Sequence, residues 1–497
     1  MEDAIYSVYV DWDGDGDFLD AGEDVSADFV SASISRGFSD PLARVAQTGR
    51  ATIVLNNLSR QYSPPLHATV LPRRAVQVDM TYDGVTETRF AGWIDEVAPT
   101  SGLYEERKVT ITCSDAMALL TQGDGQIALA VNVYADEIIE DVVDAVYTPP
   151  ATDYEEGLNL FPVSADRWAW KTIGQAVEEI KASSKIGDVC LADWGSFFIA
   201  RDGTPTFLNR HHMPLDETTV LTLDGLMTGL SYRLSVTSAY NVVEVTCHPR
   251  TVGTVNEVLG AIEQDRAPAI EATDDVTFVI KFRDPSNQKI EVGGRNVITP
   301  VATTDYECTS DEAGEGTDMT GSVTAAITRY GDHAVVTLTN AAASRVYIQK
   351  LQVRGLAVRA REPVTIAVED ATSILANQRL TMSIDAALMS AQGAALALAD
   401  YLLDRYKDPA GVVDGISFVA NRNATLMAAA RDLELCERVE ISEGQTGLSS
   451  YIGYIWNLSE MIVGVTHTVT FGLVEAYDVG DPFLIGDTFD SGHVMIY

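Results

Sequence analysis

At 497 residues the chain exceeds what one hydrophobic core organises, and a composition of 46% apolar, 21% charged and 8% aromatic residues excludes a disordered polymer in favour of three or four folded domains. Asp and Glu number 72 against 34 Lys and Arg, a formal charge of −38. That balance excludes a tight grip on a phosphate backbone, although an acidic wall lets a polyanion slide past.

Residues 1–118 read as a β domain, barrel-like or a sandwich, with β-branched and aromatic runs at 5–10, 51–55, 75–82, 89–94 and 108–113 between Gly, Pro, Asn and Asp. After the first run comes Asp11-Trp12-Asp13-Gly14-Asp15-Gly16-Asp17-Phe18-Leu19-Asp20. Asp11, Asp13 and Asp15 at alternate positions, followed by Gly16, match the first half of a calcium loop, and Asp17, Asp20, Glu23 or Asp24 could close the shell. The five aspartates Asp11, Asp13, Asp15, Asp17 and Asp20 are the candidate ligands of a structural calcium ion; no other cofactor is expected. The second half of the loop does not match, because Gly22 stands where a bidentate Glu belongs, and the preferred reading is an acidic bend built from turn-forming residues.

Beyond Ser114-Asp115, which reads as a helix cap, residues 119–229 read as α+β. The apolar spacing predicts helices over 134–147 and 170–182, and Asp202-Gly203 predicts a hairpin between 197–200 and 205–208. Strands resume at 230–236 and 241–248. Residues 259–360 carry strands at 277–282, 334–339 and 345–353 around a Gly/Thr/Asp-rich loop, as an inserted immunoglobulin-like β-sandwich would. Residues 361–410 form a connecting segment with a long Ala/Leu-rich helix over 385–406, ended by Asp408-Pro409. Strands return at 415–419, 438–442, 451–458 and 467–473, and 479–497 form a C-terminal tail. The expected fold class is mainly β with α+β.

One comparison is internal. Residues 90–112 read FAGWIDEVAPTSGLYEERKVTIT and residues 451–471 read YIGYIWNLSEMIVGVTHTVTF. Both run aromatic, apolar, Gly, aromatic, Ile, then a loop, then a strand opening on Val-Thr (Val109-Thr110, Val469-Thr470). Each reads as an antiparallel pair whose Gly permits close backbone approach. Two copies of one β-module per chain, tripled about an axis, would present six like units able to stack on a hexameric tube.

The ordered motifs resemble the tail-tip or baseplate hub proteins of tailed bacteriophages, including the siphophage tail and minor tail proteins. The residues concerned are Val10-Asp11-Trp12-Asp13 through Val25-Ser26; Gly49-Arg50-Ala51-Thr52-Ile53-Val54-Leu55-Asn56-Asn57; Gln61-Tyr62-Ser63-Pro64; Pro72-Arg73-Arg74; Phe90-Ala91-Gly92-Trp93-Ile94; Ile199-Ala200-Arg201-Asp202-Gly203; and Thr446-Gly447-Leu448 before 451–456. The resemblance implies two tube-like β-barrel domains, 1–118 and a split one of 230–258 with 411–478, separated by the α+β domain. It implies a homotrimeric virion protein at the distal end of the tail, assembled in the host cytoplasm, that closes the tube and opens for DNA ejection. Expected partners are a distal tail ring protein, the tape measure protein and tail-tip spike or fibre proteins. Many relatives continue into a spike or a peptidoglycan-cleaving region, whereas this sequence stops at Tyr497, so penetration is expected of separate proteins.

The five cysteines, Cys113, Cys190, Cys247, Cys308 and Cys436, show neither metal-ligand nor disulfide-framework spacing, so reduced thiols are expected. No signal peptide and no membrane span are expected. GxSxG, HExxH, GxxxxGK[ST] and a post-strand GxGxxG are missing, so no catalytic residues are assigned. His211-His212 reads as an exposed loop pair, and Glu105-Glu106, Glu155-Glu156 and Glu178-Glu179 as surface acids. The competing reading is a carbohydrate-binding or glycan-cleaving tail component that uses the sandwich to contact the host surface.

Overall fold

The computed structural model describes residues 3–100, 106–125, 127–130, 132–161, 182–235, 238–262 and 266–476. The chain is mainly β. Alternation sets the strands: in Ile5–Val10 the side chains of Tyr6, Val8 and Val10 point inward, and in Gln47–Asn56 those of Ala51, Ile53 and Leu55 do so.

Among the described residues, twelve strands form one sheet. Along its path lie Ile5–Val10, Ala75–Tyr82, Val85–Pro99, Lys108–Ser114, Gln47–Asn56, Phe29–Gly37, Leu448–Val463, Thr466–Glu475, Gly411–Val419 and Gly229–Leu234. Arg438–Glu443 pairs with Leu448–Val463 and carries Thr219–Asp224. The six strands of each half, counted in chain order, lie side by side as first, fourth, fifth, sixth, third, second. The similarity found in one hairpin therefore extends to a whole module. The halves differ at one end, where the first and fourth strands are antiparallel in the N-terminal half and parallel in the other.

This corrects the expectation of two β-barrels. Among the described residues neither half closes on itself; instead Phe29–Gly37 pairs with Leu448–Val463 and makes the two modules one open sheet. A single core follows, in which Val8, Ile34, Ile53 and Ile111 join Val413, Phe418, Ile455 and Phe471.

A second core joins helices Met117–Gln122, Ala135–Asp144 and Ala182–Asp193 to helix Gln392–Tyr406 and a three-stranded sheet ordered Val364–Glu369, Val242–Cys247, Thr381–Ala386. Two expectations change here. Val242–Cys247 belongs to this sheet and not with 411–478, and the long helix begins at Gln392 because Thr381–Ala386 runs parallel to Val242–Cys247 with Met382, Ile384 and Ala386 buried. The helix expected over 134–147 is Ala135–Asp144; the one expected over 170–182 lies outside the described residues except at its end. A third core, including Leu259, Phe282, Val336, Leu338, Ile348 and Val353, lies between the sheet Asp275–Lys281, His333–Asn340, Val323–Arg329 and strands gathered along Val346–Ala360.

Candidate functional site: the junction of two like half-sheets

The junction is an antiparallel ladder running from Ser31 opposite Val463 to Gly37 opposite Asn457. Gly37 has φ 125°, and a Cβ there would sit 2.5 Å from the Asn457 Cα, so only glycine fits. Phe38 then donates its N–H to the Trp456 carbonyl (2.8 Å) and stacks on the Trp456 ring with centroids 4.1 Å apart. The indole N–H bonds the Asp40 carbonyl (2.6 Å), and the Arg44 guanidinium lies 4.9 Å from the Trp456 ring and 4.8 Å from that of Trp194.

Behind the ladder sits a buried ionic cluster. Arg89 of the first half donates from Nε (3.1 Å) and Nη2 (2.6 Å) to the two carboxylate oxygens of Glu460 in the second, and His467 Nε2 lies 3.0 Å from Glu460 Oε2. The Tyr6 ring stands edge-on to His467 at 5.7 Å. Burial opposes the Glu460 charge, but Arg89 and His467 outweigh it and hold the carboxyl well below its usual range. Burial, then Glu460, pushes the Tyr6 phenol up.

A second contact converges on the C-terminal end of helix Ala424–Asp432, where helical carbonyls lack partners and attract cations. Arg201, on the hairpin singled out from the sequence, donates to the carbonyls of Arg431 (2.8 Å) and Asp432 (2.6 Å), and Arg89 also reaches the Arg431 carbonyl. Arg36 pairs with Glu434 (2.6 Å), whose other oxygen accepts the Arg201 N–H (2.9 Å). Burial works against the Glu434 charge and Arg36 overcomes it, keeping the carboxyl below its usual range.

The halves share register as well as order. Ile94 opposite Cys113, Glu96 opposite Thr112 and Val97 opposite Ile111 correspond to Ile455 opposite Leu473, Asn457 opposite Gly472 and Leu458 opposite Phe471. Each fifth strand carries its bulge one residue after the shared Ile, at Asp95 and at Trp456. Just before the fourth strands, Arg73 (φ 67°) and Cys436 (φ 66°) make the same backbone bond to the carbonyls of Ile94 and Ile455. The shared glycines do what the repeat suggested: a Cβ on Gly92 would sit 2.4 Å from the Ser114 carbonyl oxygen, and one on Gly453 3.0 Å from that of Val474.

The aspartates form a bend. Ligand atoms of Asp11, Asp13 and Asp15 lie within 4.8 Å of one another, with Asp11 buried and the other two exposed; Asp17 and Asp20 are outside that group. Asp11 accepts N–H groups from Gly14 and Gly16, Asp13 from Asp15, Asp15 from Asp17, and Asp17 from Leu19. Such side-chain-to-backbone bonds are the turn chemistry expected of Asp. A hydrogen bond with Asp13 raises the Asp20 carboxyl.

His212 is half-buried in a short helix with Nδ1 2.5 Å from Glu155 Oε1, a bond that raises its pKa, and the neighbouring Met213 carbonyl accepts the Tyr454 hydroxyl. The histidine thus ties its short helix to Glu155 and is not an exposed loop residue. Glu105 and the pair Glu178-Glu179 lie outside the described residues. All five cysteines are buried and unbridged. Among the described residues no helix is long and apolar enough to cross a membrane.

Sequence reasoning missed Arg89, Glu460 and His467. The available signal was a charged residue beside an aromatic in an apolar run, Arg89-Phe90, and Glu460 inside Tyr451-to-Val463. The Trp456 bulge flips the inward parity of that strand, which hides Glu460 from a period-two count.

No protein-family model and no curated protein matches the sequence. Among solved structures the chain is similar to the 43 kDa tail protein of prophage MuSo2 from Shewanella oneidensis, at 9% identity and TM-score 0.48 over 95% of this chain and 98% of that one. It is similar to a tail protein from Neisseria meningitidis MC58 at 9% identity and TM-score 0.49, over 95% and 96%. A third is an E. coli type VI secretion component, itself structurally similar to the bacteriophage T4 tail proteins gp27 and gp5, at 8% identity and TM-score 0.37 over 92% and 78%. The chain's structural neighbours thus include two tail proteins and a secretion component similar in structure to tail proteins.

Proposed function

We propose that this chain is a structural, non-enzymatic protein of a phage tail tip or baseplate. In this reading three copies form a hub that sets six like half-sheets around one axis, closes the end of the tail tube and opens for DNA to leave. The observation that carries it is the duplication: two six-stranded modules of one strand order in one polypeptide, with the same register between their fifth and sixth strands. Three such chains match sixfold surroundings with threefold symmetry. The formal charge of −38 suits a channel that passes a polyanion without holding it. Its partners would be two further copies, the last ring of the tube, the tape measure protein and spike or fibre proteins at the distal end of the virion.

Cryo-electron microscopy of intact tails tests this. The expected result is threefold density at the tip that fits this chain against the last tube ring. A tip lacking the chain, or holding it in any other stoichiometry, would overturn the reading.

A further inference from the structure

We propose that the Gly229–Leu234 strand of one copy pairs antiparallel with residues 97–100 of a second copy, so that the sheet continues from chain to chain. The proposal rests on the trimeric reading above and names the surface that would build it.

The template is the junction inside the chain. Phe29–Gly37, second strand of the first half, is paired on both edges, by Gln47–Asn56 and by Leu448–Val463. Among the described residues its counterpart Gly229–Leu234 pairs only with Gly411–Val419 and ends the path of the sheet. The C-terminal part of Leu448–Val463, fifth strand of the second half, is also paired on both edges, by Thr466–Glu475 and Phe29–Gly37. Its counterpart, residues 96–99, pairs among the described residues only with Lys108–Ser114. One half lacks a fifth strand against its second, and the other lacks a second strand against its fifth. In a ring of three, one neighbouring copy supplies the first and the other neighbour supplies the second, in a geometry the chain already uses.

The shared registers fix which residues would meet. Through Gln47–Asn56 and Gly411–Val419, Ser231, Arg233 and Leu234 take the places of Ser33, Ser35 and Arg36. Through the sixth strands, Val97, Ala98 and Thr100 take those of Leu458, Ser459 and Met461. Inside the chain Ser33 faces Met461, Ser35 faces Ser459 and Arg36 faces Leu458. Between copies Ser231 would face Thr100, Arg233 would face Ala98 and Leu234 would face Val97. Side-chain exposure agrees: Ile34 is 2% exposed in the internal junction, whereas its counterpart Tyr232 and the neighbouring Leu234 stand 36% and 65% exposed. Bare apolar side chains on an unpaired edge strand invite pairing. Thr100 donates inward to the Lys108 carbonyl, so residue 99 directs its edge outward, and Pro99 leaves this ladder one donor short of the internal one.

The test is a cross-link in assembled tails carrying full-length Ser231→Cys/Thr100→Cys. The native cysteines are buried, so the new thiols are the reactive ones. Directly opposed residues lie about 4.5–5.5 Å apart, within disulfide reach, while a pair offset by two lies about 7–8 Å apart. Mild oxidation is expected to give covalent trimers at roughly tenfold the yield of the offset pair Gly229→Cys/Thr100→Cys. A threefold tip with no excess over the offset pair overturns the strand pairing and leaves the hub standing, whereas absence of the chain from wild-type tips overturns the hub itself. Hydrogen exchange on wild-type tails is the check that needs no variant: the edge-facing amides of Tyr232 and Leu234, opposite Pro99 and Val97, should be protected in tails and exchange fast in the isolated chain, and fast exchange in both overturns the pairing.

Discussion

Arg89 and Glu460 stand 371 residues apart in sequence, yet their side chains are each 1% exposed and doubly hydrogen-bonded. Removing one partner leaves a buried charge uncompensated, so Arg89→Met or Glu460→Leu alone should each cost ~3–5 kcal/mol. The double variant should recover most of that loss, and urea unfolding of the four proteins measures it; additive losses would show that the pair is not coupled. Asp115 works in the opposite sense. Its carboxylate accepts N–H groups from Gly49 (2.9 Å) and Met117 (3.0 Å), but burial pushes its pKa up to about 7. A carboxyl raised in the folded state stabilises fully below its unfolded value near 3.8, and that contribution is lost as pH rises through 7. At about 1.4 kcal/mol per pKa unit, wild type should lose roughly 4 kcal/mol through this group between pH 4 and 8. Asp115→Asn should flatten that slope in unfolding curves taken across the range, whatever it costs at fixed pH.

Each half-sheet is tied at its fifth and sixth strands by a glycine whose α-carbon lies against a carbonyl of its neighbour. Gly92→Ala places a methyl 2.4 Å from the Ser114 oxygen, which is backbone and cannot swing away, while at Gly453 the nearest atoms are at 3.0 Å. Gly92→Ala should therefore cost ~1–3 kcal/mol and Gly453→Ala less. Thermal unfolding of the two variants checks the ranking; equal shifts would count against close approach as the reason for the glycines. Both glycines were legible in the repeat, because a Gly between aromatics in a strand has few other uses. The start of the long helix was not legible. Residues 385–391 share its Ala/Leu composition, but Thr381–Ala386 gains a parallel ladder and three buried side chains as a strand, and tertiary pairing overrides propensity.

For the whole molecule, one large core runs through both half-sheets, while the helices on the three-stranded sheet and the strands gathered along Val346–Ala360 each keep a core of their own. The junction makes the two modules parts of one sheet, so the N-terminal module cannot be removed without baring the Leu448–Val463 edge. In the trimeric hub proposed above, the excess of acid would set a cost on bringing three chains together, since like charges repel at the short range over which salt leaves them unscreened. Paired edges and buried apolar side chains would have to outweigh that repulsion.

By itself the amino-acid sequence determined which runs become strands, where alternation gives way to helical spacing, and that one hairpin occurs twice, because these depend on neighbours within a few residues. Only the tertiary structure decided that the two modules form a single open sheet in place of two barrels, and that Arg89 belongs with Glu460. Both depend on which free edge meets which, and a strand's side-chain pattern names the face it buries without naming the strand beside it.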